Sequence, residues 1–536
     1  MPSTHTPRHL ALILCLLFVG FFLHIHLLTG FPAYIDEYRH IARAQTVFTS
    51  AQNPVEFSHG KLLLYYWLGL FQPEGTNALF VSRAAVALSL VAGSAAVAGI
   101  ARILFGSRAA VPALVVFTFA PYALFYQRLA LADSFAGVLV ALAVWLILRA
   151  TRHPTRGAGI ALGTVLALAT LAKLTAAPAL VLPLIAIILS DSTARNLDYR
   201  LLWKRYHACL IAAGAAFVAL WAIVGVATLA DVLADGTPLL LDKYLLSVDA
   251  TIAPDSLSDK LKQLGEALAL LLSAPALVLL SLLLAFGFWK SLRAMLFALA
   301  WLAMLWGPSI VLGDFFESRY LMIGMPALAV VVGGACAAFE VGLGSVRYHF
   351  PTRVAAAGLA LWAAVFALPR AWTIITQPQA ADITEHDAYL YFASPASAWG
   401  ISEALDYLSQ DDTYDPASIP VTALLAAENG VTEYCGLAEL YVPNSVRWSC
   451  MSQIDFEAET IPASVSQWPQ VTTALKNAPY TYVLTNVLPE DAPPLDARTH
   501  WELVLAPERP YGGPKMLLWR VSSVASNVVG DLPGES

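Results

Sequence analysis

Charge is what this 536-residue sequence has little of: Asp, Glu, Lys and Arg make up 13% of it, against a usual share of about 25%, while hydrophobic residues make up 58%. That balance excludes an ordinary soluble globule. The 31 basic and 38 acidic residues leave a net charge of −7, and neither sign forms a long run. A surface that tracks nucleic acid and an acidic tail are both excluded. Cysteine is scarce, at five residues, and no His/Cys spacing fits a zinc site. GxxxxGK[ST], HExxH and GxSxG are absent, so none of those chemistries is indicated. The chain also lacks an Asn-x-Ser/Thr sequon, so nothing suggests that it is itself N-glycosylated.

What the sequence does have is apolar runs of membrane-spanning length, about 20 residues each. The first covers Leu10 to Leu28, interrupted only by His24 and His26; no small-x-small cleavage site precedes Phe31-Pro32-Ala33, so it reads as an uncleaved anchor. Further windows fall near 78–101, 109–126, 134–149, 157–172, 175–190, 208–230, 264–288, 292–312, 320–340 and 354–370. The expectation is therefore eleven spans, with the short fifth and sixth joined at a Lys173-Leu174-Thr175 hinge.

Basic residues cluster in alternate loops, at Arg102 and Arg108, Arg149 to Arg156, Arg195 to Arg205, Lys290 and Arg293, and Arg347 and Arg353, while the opposite loops carry most of the carboxylates. The positive-inside rule then puts the N-terminus in the cytoplasm and the C-terminus outside, and the Ala- and Arg-rich composition points to a plasma (inner) membrane. From about residue 371 the composition turns polar, with a helical pattern around Ile401 to Leu408 and strand-like runs at Ile419 to Ala426, Leu437 to Val442, Tyr480 to Thr485, Trp501 to Leu505 and Met516 to Val521. The expected fold is a polytopic α-helical membrane domain over residues 1–370 and an extracytoplasmic α/β domain over residues 371–536. Cys435 and Cys450 fall in that exported part, where an oxidising compartment permits a disulfide; two free thiols are the alternative.

Three places could carry chemistry. The long loop from Gly30 to Thr76 opens with Asp36-Glu37 just past the first span. Helical spacing sets these side chains about 100° apart, so one could face a cavity while the other ties to Arg39 or Arg43; a helix start whose acids favour the dipole is the plainer alternative. The second place is Arg128 to Asp133, between the third and fourth spans, where Asp133 could equally be a helix cap and Arg128 could snorkel. The third is a set of cations, Lys173, Arg83 and Arg319. Cations at membrane depth call for a partner, either a neighbouring carboxylate or a bound anion such as a lipid phosphate. His40 and His59 share the acidic loop with Asp36, but a metal site there is not favoured. His24 and His26 read as buried polar groups with hydrogen-bond partners.

Taken together, Asp36-Glu37-Tyr38-Arg39 after the first span, Arg128 and Asp133 bracketing the third-to-fourth hairpin, the Lys173-x-Thr175 hinge, Arg319-Tyr320 before a Pro-containing helix and an exported tail resemble the GT-C glycosyltransferases. The likeness is to the protein O-mannosyltransferase and aminoarabinose-transferase-like branch, family 39, whose Asp-Glu-x-Arg/Tyr signature the first of these motifs resembles; it covers residues 1 to about 370.

The resemblance implies an inverting transfer of a sugar from a polyprenyl-phosphate donor to a protein, lipid or glycan acceptor at the outer face, without a cofactor or metal. Asp36 would be the general base, Glu37 would orient the loop or the acceptor, and Asp133 would assist at the acceptor or hold an active-site Arg. Lys173 and Arg319, with Arg83 and Arg128 behind them, would bind the donor phosphate. A transporter or flippase of a lipid-linked or anionic substrate is the main alternative. Its marks would be internal repeats and helices broken at the midplane, and the key charges instead fall at outer helix ends, apart from Lys173.

Overall fold

The structure, a computed structural model, describes residues 7–49, 60–190, 199–235, 255–311, 313, 316–343, 350–394, 397–412, 414–415, 419, 421–424, 436–442, 448–450, 469–485, 499–512 and 515–523. The chain divides into two compact units. The first comprises residues 1–30, 40–72 and 80–384, and the second residues 31–39, 73–79 and 385–536. The division thus differs from a single cut near residue 371: two short N-terminal stretches group with the C-terminal part.

The first unit is helical, as a hydrocarbon environment demands of any chain that must satisfy its own backbone hydrogen bonds. It contains α1 (Pro7–Ile25), most of α2 (Ile35–Thr46), α3 (Leu62–Gly69), α4 (Ala78–Phe105), α5 (Ser107–Phe119), α6 (Pro121–Gln127), α7 (Ala132–Arg152), α8 (Arg156–Ala172) and α9 (Leu182–Ser190). The helices Tyr199–Asp235, Leu257–Leu272, Ala274–Val311, Met325–Leu343 and Phe350–Trp362 follow. Six described helical segments are long and apolar enough to cross a membrane, or seven if the bent pair α5 and α6 counts as one span.

The expected count of eleven is not what the helix lengths return, because hydropathy windows do not register backbone breaks. The run 264–288 is divided at Ser273, which has a φ of +72°. The windows at 157–172 and 175–190 become a 17-residue α8, then a 3₁₀ turn (Leu174–Val181) leading into α9. At Ser291 a non-helical residue interrupts the Ala274–Val311 run.

Two of these breaks position candidate residues. Ala120 is extended (φ −60°, ψ 114°) because the ring of Pro121 excludes the helical conformation from the residue before it, and the chain bends by 63° between α5 and α6. Arg128 follows directly at the end of α6. Lys173 is likewise extended (φ −162°, ψ 129°) between α8 and the 3₁₀ turn, where its N–H closes the last turn of α8 on the Ala169 carbonyl and its own carbonyl accepts from the Ala176 N–H. Elsewhere in this unit, α8 lies close against the Tyr199–Asp235 helix: a Cβ on Gly159 would stand 2.1 Å from the Cys209 carbonyl oxygen, and one on Gly163 2.0 Å from that of Ala213. Small residues are what permit such backbone approach in membranes.

The second unit contains a five-stranded mixed sheet in the order β2-β1-β3-β5-β4, built from β1 (Val421–Leu424), β2 (Trp448–Cys450), β3 (Tyr480–Thr485), β4 (Thr499–Leu505) and β5 (Leu517–Ser523). β1 runs parallel to β2 and β3, whereas β5 runs antiparallel to β3 and β4. Tyr482, Val483 and Leu484 of β3, its central strand, are buried. The Ile401–Gln410 helix starts from Gly400 in the left-handed region (φ +92°). A side chain at Gly400 would also meet Met516, at 2.8 Å. The run Leu437 to Val442 is not the strand its alternation suggests: residues 436–439 form a helical turn that buries Leu437 and Ala438 side by side. Short apolar runs do not distinguish the two conformations. Burial holds the Tyr414 hydroxyl up at about 12, and burial together with a hydrogen bond to Asp411 raises that of Tyr482 further.

Candidate functional site

Asp36 and Glu37 both occupy the first turn of α2, where carboxylates favour the positive end of the helix dipole. They are not equivalent. Glu37 is fully buried and accepts a hydrogen bond from the Tyr34 backbone N–H at 3.3 Å, a local contact of the capping kind. Asp36 keeps some exposure, 13% of its side chain, and pairs with Arg39 at 3.2 Å. Of the two carboxylates, then, Asp36 ties to Arg39. Arg43 instead donates to the Tyr65 hydroxyl at 3.0 Å.

Residues 31–39 are built into the second unit by backbone and side-chain contacts. The Ala398 N–H donates to the Ala33 carbonyl at 2.9 Å, the Tyr441 hydroxyl accepts from the Ala33 N–H at 2.6 Å, and Tyr34 forms a β-bridge with Ser397. Phe31 packs edge-on to Phe392 (5.2 Å between ring centroids), and Tyr34 lies 4.8 Å from the Tyr391 ring. Behind Phe392, the buried Arg509 guanidinium donates to the Phe392 and Ser394 carbonyls at 3.3 and 2.5 Å. Burial pulls it down to about 10, still cationic at neutral pH. The sequence offered no signal for Tyr441 or Arg509, because their partners are backbone atoms distant in the chain.

Tyr38 lies so close to Gly436 that a Cβ there would stand 1.9 Å from the ring. Gly436→Ala is therefore expected to cost about 1–3 kcal/mol, as overpacking does, and to shift the first turn of α2 with its carboxylates. Tyr38→Ala in the same chain should recover most of the loss in thermal denaturation.

In the first unit the structure brings Asp133, Lys173, Glu317, Arg319 and Tyr320 together. Asp133 sits in the first turn of α7 without capping it, since Leu131 is the cap residue, and accepts a hydrogen bond from Lys173 Nζ at 2.5 Å. Both side chains are largely buried, with 7% and 12% exposed. Lys173 Nζ also stands 4.7 Å from the centre of the Tyr320 ring, and the Arg319 guanidinium 5.6 Å from it. Arg319 pairs with Glu317. Tyr320 thus stands between two cations, a favourable place for an aromatic face, and each cation has its own carboxylate. Of the two kinds of partner that the sequence left open, both cations have a neighbouring carboxylate.

Arg83 and Arg128 take another place. Arg128 donates to the carbonyls of Leu23 and Leu27 at 2.5 and 3.0 Å, and Arg83 to that of Leu28 at 2.6 Å. All three carbonyls belong to the end of α1 and the turn after it, where helical partners run out and cations are favoured. That explains both arginines without a ligand. Nearby, His24 is buried and hydrogen-bonded to the Gly20 carbonyl and to Gln127, while His26 stacks on Phe22 and Trp372. His40 contacts the Ala130 carbonyl and Lys61. His59 and Cys435 lie outside the described residues, and with Cys435 lies any bridge to Cys450. Among the described residues no group of three or more His, Cys, Asp or Glu is arranged to hold a metal.

Comparison with known proteins gives a family segment and a fold. Residues 62–223 match the family described as dolichyl-phosphate-mannose-protein mannosyltransferase, a stretch that contains Arg83, Arg128, Asp133 and Lys173. No curated protein sequence matches the chain. Among solved structures, ArnT from Cupriavidus metallidurans bound to undecaprenyl phosphate superposes with a TM-score of 0.54 at 15% identity, over 98% of this chain and 100% of that one. The apo state of the same enzyme gives 0.55 at 16% identity, over 95% and 97%. The apo oligosaccharyltransferase of Archaeoglobus fulgidus gives 0.48 at 12% identity, over 91% and 70%. The chain is therefore an integral membrane protein of GT-C fold with a C-terminal α/β domain, resembling the GT-C glycosyltransferases of family 39.

Proposed function

We propose that the protein is a glycosyltransferase that moves a sugar from a polyprenyl-phosphate donor to an acceptor at the extracytoplasmic face. The observation that carries this reading is the mannosyltransferase family match over residues 62–223, because that segment supplies the Asp133–Lys173 pair. The ArnT structure with undecaprenyl phosphate bound supports the class of donor. The alternation of basic and acidic loops supports the orientation.

In this reading the acceptor oxygen attacks the anomeric carbon with inversion. The bond from that carbon to the phosphate oxygen breaks, its electron pair leaves with the polyprenyl phosphate, and Asp36 takes the acceptor's proton. Lys173 and Arg319 meet the charge that develops on the phosphate with N–H donors other than those that Asp133 and Glu317 take. Protein cations suffice for a single phosphate, and no metal or cofactor is assigned. Glu37 acts through its contact with Tyr34, holding the turn that carries Asp36.

Undecaprenyl phosphate added to the detergent-purified protein should raise its melting temperature with a saturable dose dependence. At 100 times the dissociation constant the gain corresponds to about 2.7 kcal/mol. No shift at saturating lipid would overturn the donor assignment and favour a transporter of another substrate.

A further inference from the structure

Arg509, in the second unit, is a buried cation of an unusual kind. It is 6% exposed, no carboxylate pairs with it among the described residues, and its Nε and Nη2 have no hydrogen-bond partner. Burying a guanidinium in this way is unfavourable, and an apolar side chain of similar volume would fill the space without that penalty. What only the guanidinium supplies is a pair of N–H bonds at a fixed angle. Nη1 uses both of its own, on the carbonyls of Phe392 and Ser394. These lie at the end of the helical turn Tyr389–Ala393, where carbonyls run out of helical partners.

The backbone that carries Arg509 has little freedom. It lies in the connection between β4 and β5, two residues after Pro507 and directly before Pro510. The proline rings fix their own φ, and Pro510 disfavours the helical region at Arg509. The Gly512 N–H, with Gly512 at φ +78°, donates to the Arg509 carbonyl, and Trp399 Nε1 donates to that of Glu508.

From the two carbonyls a short chain of contacts leads to Asp36. The Ser394 carbonyl also accepts from the Ser397 N–H at 3.1 Å, and the Ser397 hydroxyl donates to the Tyr391 carbonyl at 2.6 Å. Ser397 and Ala398 are the residues that hold Tyr34 and Ala33. The Tyr34 carbonyl in turn accepts from the N–H groups of Glu37 and Tyr38, at 2.9 and 3.3 Å, which fixes where α2 begins. Asp36 is the second residue of that helix.

We propose that Arg509 is a positioning residue for Asp36, setting the place of the first turn of α2 through Phe392, Ser394, Ser397 and Ala398. The inference rests on the reading of Asp36 as the general base.

The first test is hydrogen exchange, read by mass spectrometry on the full-length protein in detergent. Arg509→Met should exchange at least tenfold faster than wild type in residues 31–39, while β3 stays within about twofold. Arg509→Lys keeps an N–H donor and should recover part of that protection. Arg520→Gln, which removes an exposed pair with Glu502 in the same unit, should match the wild type. In sugar transfer from a lipid-linked donor, Arg509→Met should lower kcat at least tenfold with the donor KM within about twofold. In an Asp36→Asn background the same substitution should change the rate by less than about twofold, because residues that act as a unit are not additive.

Unchanged exchange in residues 31–39 would overturn the proposal, as would a loss of protection spread equally over β3, which would make Arg509 a support of the domain alone. Equal fold-losses from Arg509→Met with and without Asp36→Asn would overturn it as well. An Asp36→Asn protein at full rate would remove the base assignment itself, and with it the role of Arg509 in transfer, whatever the exchange shows. Should Arg509→Met not fold, the wild type decides: residues 31–39 and 389–394 opening with equal protection support the proposal, and at least tenfold faster exchange in 31–39 overturns it.

Discussion

Asp36→Asn is expected to lower the rate of sugar transfer by about 10²–10⁴-fold, the usual worth of a positioned general base, while leaving donor binding within about twofold of wild type. The substitution keeps the size of the side chain and removes its ability to take a proton. It also weakens the contact with Arg39, an ion pair whose members keep 13% and 31% of their side-chain exposure. Such a partly exposed pair is worth about 1 kcal/mol or less, so loss of folding cannot account for a hundredfold change in rate. Arg39→Gln separates the two roles further. If Arg39 only restrains Asp36, this variant should lose much less activity than Asp36→Asn and keep donor binding within about twofold of wild type. Transfer at the original rate by Asp36→Asn, measured on lipid-linked donor by product formation, would remove the base assignment.

The second large effect concerns the pair in the first unit. Lys173→Met should destabilise the protein by about 3–5 kcal/mol, because it leaves the Asp133 carboxylate buried without its ammonium partner; Asp133 is only 5% exposed. The double variant Asp133→Asn/Lys173→Met should cost less than the sum of the singles, as groups in direct contact do. Ligand binding distinguishes this structural effect from the proposed role of the cation. Lys173→Met and the double variant should both lose at least tenfold in affinity for undecaprenyl phosphate. Asp133→Asn, which releases Lys173 from its carboxylate, should retain that affinity or improve it. A Lys173→Met protein that is destabilised yet binds the lipid phosphate like the wild type would reduce the lysine to a structural partner of Asp133. The same comparison applies to Arg319, whose partner Glu317 lies two residues before it.

Some of this could be read from residue order alone. The sparse charge and the long apolar runs establish a polytopic membrane protein, since no other solvent accommodates them; the polar composition after residue 371 marks a change of character but not the division of the chain, in which residues 31–39 and 73–79 group with 385–536. Tyr480 to Thr485 could be read as a strand from its β-branched and aromatic content, and it is the central strand of the sheet. Leu437 to Val442 could not, because four or five apolar residues fit one helical turn as well as one strand. The count of eleven spans is not confirmed, for a related reason. Hydropathy averages over a window, whereas the breaks at Ser273 and Ser291 and the extended residue Lys173 are single-residue backbone events.

Local order also brought out the candidate charges: carboxylates and cations are so rare in an apolar chain that each one must be accounted for. Their partners were another matter. The sequence by itself determined that Asp36, Asp133, Lys173 and Arg319 needed explanation, because burying a charge in or near hydrocarbon carries a large cost unless something compensates it. The tertiary structure alone decided what that compensation is: Arg39 for Asp36, Lys173 for Asp133, Glu317 and the Tyr320 ring beside Arg319, and the α1 carbonyls for Arg83 and Arg128. Apart from the helical neighbour Arg39 and nearby Glu317 and Tyr320, these partners lie 40 to 105 residues away. A charge interacts through space and not along the chain, so its energy is set by which helix ends packing brings within a few ångströms, and no local pattern of residues encodes that.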